Sequence, residues 1–329
     1  MRADGSHTLP TEVAVRATAR LHLGFLDVAG SLGRKFGSLG LSLSAPEVRV
    51  RASLAPAREN RSPGRAARYA EAFYAHPHIA SSVGGAPRAC VRSEAEIPPH
   101  RGLGSGTQLA LCVVHALCAL HGIPCTPEGA AGIAGRGLRS GIGIETFRSG
   151  GFVVDAGSET PGRTPPLPIW RCDFPEGWRI VLAQPPTTHP GAGLNGKDEE
   201  LAFAGIPTGP EAGREICHLT LMRLLPALLE RRIDRFGEAV ERIQQITGSC
   251  FATHQSGLYA SPMAEEIFAV MRGAGGYGMG QSSWGPTLYC FAPDARDAAA
   301  IAATLRGRFP AMEVAITQAR NAGAEICKA

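Results

Sequence analysis

The sequence predicts an α+β protein with two domains, and three observations support this prediction. Segments with strand-like alternation and segments with helical periodicity follow one another in an irregular order. The length of 329 residues exceeds that of one ordinary domain. Residues 157–168 hold four prolines and two glycines and form the most linker-like stretch of the chain. We therefore expect an N-terminal domain over residues 1–165 and a C-terminal domain over residues 166–329.

The first domain is expected to open with strands and to contain one dominant helix. Alternating and β-branched residues predict strands at 12–21, 39–43, 47–53, 88–92 and 152–155, with Pro46 in a turn between the second and third. Helical patterns cover 66–74 and 105–121, and the second is the strongest helix signal in the chain. Residues 136–151 contain too many glycines for a regular helix and predict a loop.

Longer helical patterns characterise the second domain. They cover 211–230, 234–247, 262–272 and 294–306, and Pro226 is expected to kink the first of them. Strands are predicted at 178–184, 287–291 and 312–317, between and beside these helices. This order of elements again favours a mixed α+β architecture.

Composition excludes several classes of partner and compartment. A net charge of +4 over 329 residues is too small for a nucleic-acid-binding surface. The longest apolar run, Leu109–Leu120, is too short to cross a bilayer, so we expect no membrane partner. The nine cysteines include no CxxC pair, and residues 1–10 hold no apolar signal core. These features predict a cytoplasmic protein with reduced thiols.

A glycine-rich turn leads directly into the strongest helix. The segment Pro98–Gln108 places glycines where the backbone could approach a ligand, and Ser105 or Thr107 is expected to cap the helix. Amides at the start of a helix attract phosphate. The predicted anion-binding residues are Arg101, Gly102, Leu103, Gly104, Ser105, Gly106 and Thr107. The segment matches neither a Walker loop nor GxGxxG, and an ordinary capped helix remains the alternative.

A second glycine-rich stretch occurs near the C-terminal end. Six glycines fall between residues 273 and 285, which implies backbone that bends or packs closely against something. Trp284 and the polar side chains before it are unusual for a linker, although a flexible turn remains the alternative. We expect Gln281, Ser282 and Ser283 to line a pocket from the second domain.

Two further stretches carry candidate charged groups. On the first strand, Arg20 and His22 share one face and Asp27 follows, a set that could bind an anion and exchange protons. Residues 136–151 contain Arg139 and Arg148, which we predict as phosphate clamps, and Glu145. A solvated polar surface is the alternative for both stretches.

Together these four stretches resemble the GHMP kinase superfamily. The segment 98–108 is similar to the central loop of that superfamily, and Gly275–Gly280 to its C-terminal loop. The resemblance is closer to a non-kinase branch, the β-ribofuranosylaminobenzene 5′-phosphate synthases. It is carried by residues 19–27, 139–143, 150–155 and 278–287, among which the run Gln281–Pro286 is the most specific. The resemblance implies a mixed-sheet N-terminal domain and a C-terminal α/β sandwich domain.

The resemblance also implies an activity. Enzymes of that branch join phosphoribosyl pyrophosphate to 4-aminobenzoate, release CO2 and pyrophosphate, and serve tetrahydromethanopterin biosynthesis. It implies the small-molecule substrates as partners, a homodimer, and Mg²⁺ without pyridoxal phosphate. By this resemblance Arg20, His22, Asp27 and Glu145 are candidate catalytic groups, and Asp27 and Glu145 are candidate metal ligands.

Departures from the kinase pattern argue against phosphoryl transfer from ATP. Gly106 replaces the second serine of the kinase loop, and no aspartate follows the Ser-Gly-Ile segment, where Glu145 is the nearest carboxylate. An ATP-dependent small-molecule kinase and a non-catalytic phosphate-binding protein remain the alternatives. The sequence does not separate 4-aminobenzoate from 4-hydroxybenzoate, because either para group donates electrons to the ring.

Overall fold

The computed structural model describes residues 9–54, 64–186, 209–255 and 257–329. Its strands are β1 (Glu12–Asp27), β2 (Phe36–Ser53), β3 (Cys90–Ala95), β4 (Phe152–Asp155), β5 (Pro168–Cys172), β6 (Arg179–Gln184), β7 (Tyr277–Gln281), β8 (Leu288–Ala292), β9 (Glu313–Thr317) and β10 (Glu325–Lys328). One sheet has the order β10-β1-β2-β4-β5, with β3 also paired to β2, and the other has the order β7-β8-β6-β9. Neighbouring strands in both sheets are antiparallel.

Helices cover both sheets. They are α1 (Ala66–Ala75), α2 (Pro77–Val83), α3 (Ser105–Leu120), α4 (Pro127–Ile133), α5 (Ile142–Ser149), α6 (Glu211–Leu219), α7 (Leu225–Leu229), α8 (Ile233–Phe251), α9 (Ala264–Gly273) and α10 (Ala295–Arg308). The α3 helix packs on β1 and β2 and is buried along almost its whole length, which explains its uniformly apolar sequence. The prediction of an α+β protein is confirmed.

The second sheet separates two cores. Ile180 and Leu182 of β6 belong to the large core that extends to the first sheet, whereas Val181 and Ala183 belong to a smaller core beneath α9 and α10. Alternate side chains of one strand point to opposite faces, so this short apolar strand packs on both sides. The predicted domain division at residue 165 stays a prediction, although β5 and β10 both belong to the first sheet.

The predicted turn at Pro46 is wrong, because β2 runs through it. Thr18 of β1 pairs with Glu47 and Arg20 pairs with Ser42, so several extra residues of β2 lie opposite Ala19. This bulge turns toward the end of β9, where the amide of Ser44 donates to the carbonyl of Gln318. The proline thus marks an irregularity in β2, and the backbone of this irregular segment bonds to the chain just after β9.

The loop predicted at 136–151 contains a helix, α5. Gly143 lies where α5 meets α3, and an added Cβ would come within 2.9 Å of the Cγ2 atom of Thr107. The glycine thus serves close helix packing, while Ile144 and Phe147 bury the apolar side of the helix. Local glycine content predicted a loop, and tertiary packing reversed that preference.

The long helix predicted at 211–230 is interrupted rather than simply kinked. Between α6 and α7, residues Thr220–Leu224 form a π-helical turn, and Pro226 stands in the first turn of α7. Proline lacks an amide hydrogen and clashes with the carbonyl four residues earlier, and a wider turn relieves this clash. In the described part of the chain, no helix is both long and apolar enough to span a bilayer.

Candidate active site

A cavity of about 610 Å³ lies where the first turn of α3 meets β1. Its walls come from β1, from the loop between α4 and α5, and from the segment that follows β7. The lining residues are Arg20, His22, Phe25, Phe36, Thr107, Gly135, Arg136, Gly137, Leu138, Arg139, Ser140, Gly143, Pro161, Gly162 and Ser283. All four predicted functional stretches therefore contribute to one cavity.

The charge of this cavity is strongly positive. Arg20, Arg136 and Arg139 line it, and none of the described residues that line it is an aspartate or glutamate. The side chain of Arg136 is positioned by the hydroxyl of Tyr69, which accepts hydrogen bonds from its Nε and Nη2 atoms at 3.2 and 3.0 Å. Several guanidinium groups beside a helix N-terminus suit a ligand that carries phosphate groups.

Arg20 lies against the glycine-rich turn that precedes α3. Its Nη1 atom donates to the carbonyl of Gly102 at 2.6 Å, and its backbone amide donates to the carbonyl of Leu103. A Cβ added to Gly104 would lie 3.2 Å from the Cγ atom of Arg20, so the side chain crosses this glycine closely. Arg20 thus joins β1 to the start of α3.

The segment after β7 closes the same turn from the other side. Ser282 donates from Oγ to the carbonyl of Gly102 at 2.7 Å and accepts a hydrogen bond from the amide of His22 at 3.1 Å. A Cβ added to Gly285 would come within 2.1 Å of the Gly102 nitrogen. The two glycine-rich stretches therefore contact each other backbone to backbone, which only glycine allows.

His22 is a buried neutral imidazole in the cavity wall. It is 3% exposed, and burial, with a smaller effect of the Arg20 charge, lowers its pKa to about 3. Its Nε2 atom is buried and has no hydrogen-bond partner among the described residues. At neutral pH this histidine can offer an uncharged nitrogen to a ligand but does not act as a cation.

A chain of hydrogen bonds through two serines connects a buried carboxyl group to the cavity wall. Asp155 accepts hydrogen bonds from the hydroxyl of Ser38 and from the amides of Gly141 and Gly157, and Ser38 contacts the hydroxyl of Ser140 in the cavity wall. Burial raises the pKa of Asp155 to about 6, against the opposing effect of these hydrogen bonds. This network fixes the loop that carries Arg139.

The structure brings only part of the predicted site together. The predicted residues that line the cavity are Arg20, His22, Thr107, Arg139 and Ser283. Gln281 lies behind Ser283 and donates to its carbonyl at 2.8 Å. Arg101 points toward Glu313, 3.9 Å away, and not into the cavity.

The glycine-rich turn differs from the predicted open anion loop. Leu103 is buried in the core, and the carbonyl of Gly102 accepts hydrogen bonds from Arg20 and Ser282. The predicted caps do not form, because Gly104 occupies the cap position of α3 with φ of 78° and no side-chain cap is present. Ser105 instead accepts a hydrogen bond from Arg65, and a Cβ on Gly106 would contact Arg136. The cavity thus opens at the first turn of α3 rather than along the whole glycine run.

The two predicted metal ligands do not fit a magnesium site. Asp27 accepts hydrogen bonds from the amides of residues 29–31 and from the hydroxyl of Ser31, so its oxygens cap a turn. Glu145 is buried and is bound by Arg148 and Ser149, and Arg148 also contacts Glu128. Neither carboxylate lines the cavity, and the described residues contain no group of three or more His, Cys, Asp or Glu arranged so that it could hold a metal ion. Magnesium binding therefore stays a prediction for which the structure offers no protein ligand among the described residues. Arg148, predicted as a phosphate clamp, instead pairs with Glu145 and Glu128.

Sequence reasoning missed several residues of the site. Arg136 belongs to the arginine-rich stretch but was not singled out, and Tyr69, which holds it, carries no local motif. Phe25 and Phe36 line the cavity although aromatic residues on a strand usually indicate core. Their position in the wall depends on the pairing of β1 with β2, where Asp27 faces Phe36.

Comparison with known proteins places this arrangement in a family. Sequence models of the GHMP kinases match the chain at residues 65–147 (GHMP kinases N terminal domain) and 224–311 (GHMP kinases C terminal). A β-ribofuranosylphenol 5′-phosphate synthase of Archaeoglobus fulgidus is 33% identical, over 95% of this chain and 98% of the relative. The chain belongs to the β-ribofuranosylphenol 5′-phosphate synthase family, within the GHMP kinase superfamily. The resemblance that the motifs predicted is thereby confirmed.

A second relative and two solved structures are also similar to this chain. A protein of the same name from Methanothermobacter thermautotrophicus is 34% identical, over 84% of this chain and 88% of the relative. Among solved structures, mevalonate diphosphate decarboxylase from Staphylococcus aureus has a TM-score of 0.70 at 14% identity, over 97% of this chain and 98% of that one. Homoserine kinase from Cytophaga hutchinsonii has a TM-score of 0.65 at 16% identity, over 98% and 99% of the two chains. These likenesses confirm the predicted GHMP-kinase-like fold.

The low pKa of His22 predicts a specific acid sensitivity in this member of the synthase family. Between pH 6.5 and 3 the unfolded chain protonates this histidine and the folded chain does not, so stability falls as the pH falls. The loss attributable to His22 is about 3 kcal/mol at pH 4. Urea denaturation across this pH range should show a shallower decline for His22→Gln than for the unaltered protein.

The exposed Thr304 supplies the control, since Thr304→Val removes no titratable group and should leave the pH dependence unchanged. Parallel stability curves for His22→Gln and the unaltered protein between pH 6.5 and 4 would contradict the assignment of a neutral His22.

Proposed function

We propose that the chain is a decarboxylating pentosyltransferase that joins phosphoribosyl pyrophosphate to a para-substituted benzoate and releases pyrophosphate and CO2. The observation that carries this proposal is the cavity at the start of α3, whose described lining includes three arginines and no carboxylate. Membership of the synthase family supports it. The place of the reaction in tetrahydromethanopterin biosynthesis, implied by the resemblance, is part of the same proposal.

The donor carries phosphate groups at both ends of its sugar, and the cavity offers cations on more than one wall. Arg20 belongs to β1, while Arg136 and Arg139 belong to the loop between α4 and α5. Guanidinium groups form paired hydrogen bonds with phosphate oxygens and keep their charge at every physiological pH. Charge that develops on the departing pyrophosphate is stabilised by such fixed groups without reorganisation.

The acceptor supplies the electrons for the new bond. A para hydroxyl or amino group raises electron density at the ring carbon that bears the carboxylate. That carbon forms a bond to C1 of ribose while the bond from C1 to the pyrophosphate oxygen breaks. The bond to the carboxylate carbon then breaks, CO2 leaves, and its electron pair restores the aromatic ring. No net proton transfer to the ring carbon is required, which is compatible with a cavity whose described lining holds a neutral His22 and no carboxylate.

The relatives' name favours a hydroxyl as the para group. A ribofuranosylphenol product corresponds to 4-hydroxybenzoate as acceptor, whereas the resemblance described above implied 4-aminobenzoate. We therefore propose 4-hydroxybenzoate as the preferred acceptor of this chain. The predicted homodimer belongs to the same proposal and is tested by the molar mass in solution.

The test is a decarboxylation assay. The protein is mixed with magnesium, phosphoribosyl pyrophosphate and either 4-hydroxybenzoate or 4-aminobenzoate labelled in the carboxyl group, and released labelled CO2 is counted. We expect release that depends on both substrates, faster with the hydroxy acid, together with one pyrophosphate for each CO2. Omitting magnesium tests the metal prediction separately.

Two results would contradict the proposal. One is the absence of CO2 release by folded protein with either acid. The other is phosphate transfer from ATP to a small alcohol in the same preparation, which would indicate the kinase alternative.

A further inference from the structure

A small recess of about 40 Å³ adjoins the large cavity. His22, Phe25 and Ser283 line both spaces, so the recess and the cavity share one wall. Beyond that wall the recess extends between β1 and α8, where Gly24 and Thr247 line it and do not line the cavity. The recess and the cavity are therefore neighbouring spaces that meet at these three residues.

Aromatic rings form the sides of the recess. Phe251 and Trp284 meet edge to face with ring centroids 4.3 Å apart, and Phe25 lies 6.1 Å from Phe251. The same three rings form a separate apolar cluster in the fold. Edge-to-face and offset contacts of this kind are the preferred surroundings of another flat ring.

Two glutamines that line the recess are held by hydrogen bonds to neighbouring groups. Gln244 donates to the carbonyl of Leu23 and accepts from the amide of Gln281. Gln281 accepts from the amide of Ala260 and donates to the carbonyl of Ser283. These hydrogen bonds hold the two side chains in place in the wall of the recess.

The lining of the recess also includes buried polar atoms that lack a hydrogen-bond partner among the described residues. The Oγ1 atom of Thr247 and the Nε2 atom of His22 have no hydrogen-bond partner among the described residues, and His22 is 3% exposed. A buried polar atom without a partner costs free energy, which a ligand atom can recover. Gly24 keeps this end open, because an added Cβ would lie 3.1 Å from the Thr247 hydroxyl.

We infer that the recess binds the para edge of the aromatic acid and that Thr247 hydrogen-bonds the para hydroxyl or amino group. The inference rests on the proposed function and adds the location and orientation of the acceptor. An apolar cavity that encloses benzene measures about 150 Å³, so the recess holds only part of a ring. The carboxylate-bearing carbon then remains in the large cavity, on the side of the sugar and the arginines.

The orientation has a chemical consequence. With the para group fixed at Thr247, the ring carbon that attacks ribose is the one opposite to it, and the carboxylate faces the cationic cavity until CO2 leaves. Positioning of this kind contributes to rate by holding the reacting atoms in line. Thr247 is thus a positioning and specificity residue for the acceptor.

Thr247→Val tests the inference, because valine keeps the shape and removes the hydroxyl. Two quantities are measured: quenching of Trp284 fluorescence by 4-hydroxybenzoate, and KM for each substrate. We expect about tenfold weaker binding and a KM for the acid raised about tenfold, with KM for phosphoribosyl pyrophosphate unchanged. Trp284→Phe identifies the part of the signal that comes from the recess, since the chain also contains Trp170 and Trp178.

Thr304→Val is the matched control. Its hydroxyl bonds the carbonyl of Ala300 on the exposed side of α10, away from both spaces, and its loss should leave binding and turnover unchanged. Unchanged acid binding in Thr247→Val, or an equal rise in both KM values, would overturn the inference while CO2 release by the unaltered enzyme upholds the proposed function. Absence of CO2 release would overturn the proposed function, and the fluorescence titration would still decide whether the recess binds the acid through Thr247.

Discussion

Replacing Arg20 by alanine is expected to lower kcat/KM for phosphoribosyl pyrophosphate by roughly 10²- to 10³-fold, the cost of losing one preorganised charged contact at a reacting group. Arg20 lines the cavity and also donates to the carbonyl of Gly102 at 2.6 Å. The substitution therefore removes a cation from the donor site and a link between β1 and the turn before α3. Steady-state rates of CO2 release at varied donor concentration measure the effect.

Arg179→Ala provides a matched control for this loss. Arg179 also donates its guanidinium hydrogens to backbone carbonyls, at Glu176, Gly177 and Trp178, but lines neither the cavity nor the recess. It should retain normal turnover. Arg20→Lys keeps the charge without the paired geometry and should recover part of the rate. A rate for Arg20→Ala equal to that of Arg179→Ala would exclude Arg20 from donor binding.

Replacing Gly102 by alanine is expected to destabilise the protein by about 2–4 kcal/mol and to abolish most of its activity. Gly102 has φ of 74°, and an added Cβ would lie 2.0 Å from the carbonyl oxygen of Ser282. The two glycine-rich stretches would have to separate, which displaces Ser282 and Ser283 from the cavity wall. Urea denaturation and CO2 release measured on the same preparation quantify both effects.

Gly85→Ala is the control that measures how much stability is lost through the backbone conformation alone, without a clash between the two glycine-rich stretches. Gly85 has φ of 86°, and an added Cβ there meets nothing within 4 Å. It should cost only about 1 kcal/mol and leave turnover intact. Similar destabilisation by the two substitutions would show that the contact between the stretches contributes nothing.

Elements with strong local periodicity were predicted closely. The pattern predicted 105–121 for the helix that spans Ser105–Leu120, and residues 152–155 form a strand as expected. Predictions failed where a distant neighbour decides the outcome. The bulge in β2 depends on contact with the end of β9, and α5 depends on the close approach of Gly143 to Thr107.

Some residues of the candidate site could likewise be predicted from local sequence, and others could not. Arg20 and His22 were recognisable because alternation on a strand gives them a common side, and both line the cavity. Asp27 and Glu145 matched a chemical expectation of carboxylates, yet turn amides and neighbouring cations occupy them. Nothing local in the sequence indicates that Thr247, in the middle of a helix, faces Gly24 across a recess.

The family, the α+β class and the glycine-rich stretches can be identified from the chain before it folds, because they depend on residue identity at fixed spacing along the chain. Packing in three dimensions determines which charged side chains line the cavity and which lie elsewhere, bound by neighbouring groups. The physical reason is that a side chain's availability depends on hydrogen-bond partners and burial, and these come from residues as distant in sequence as Arg20 and Gly102 or His22 and Ser282.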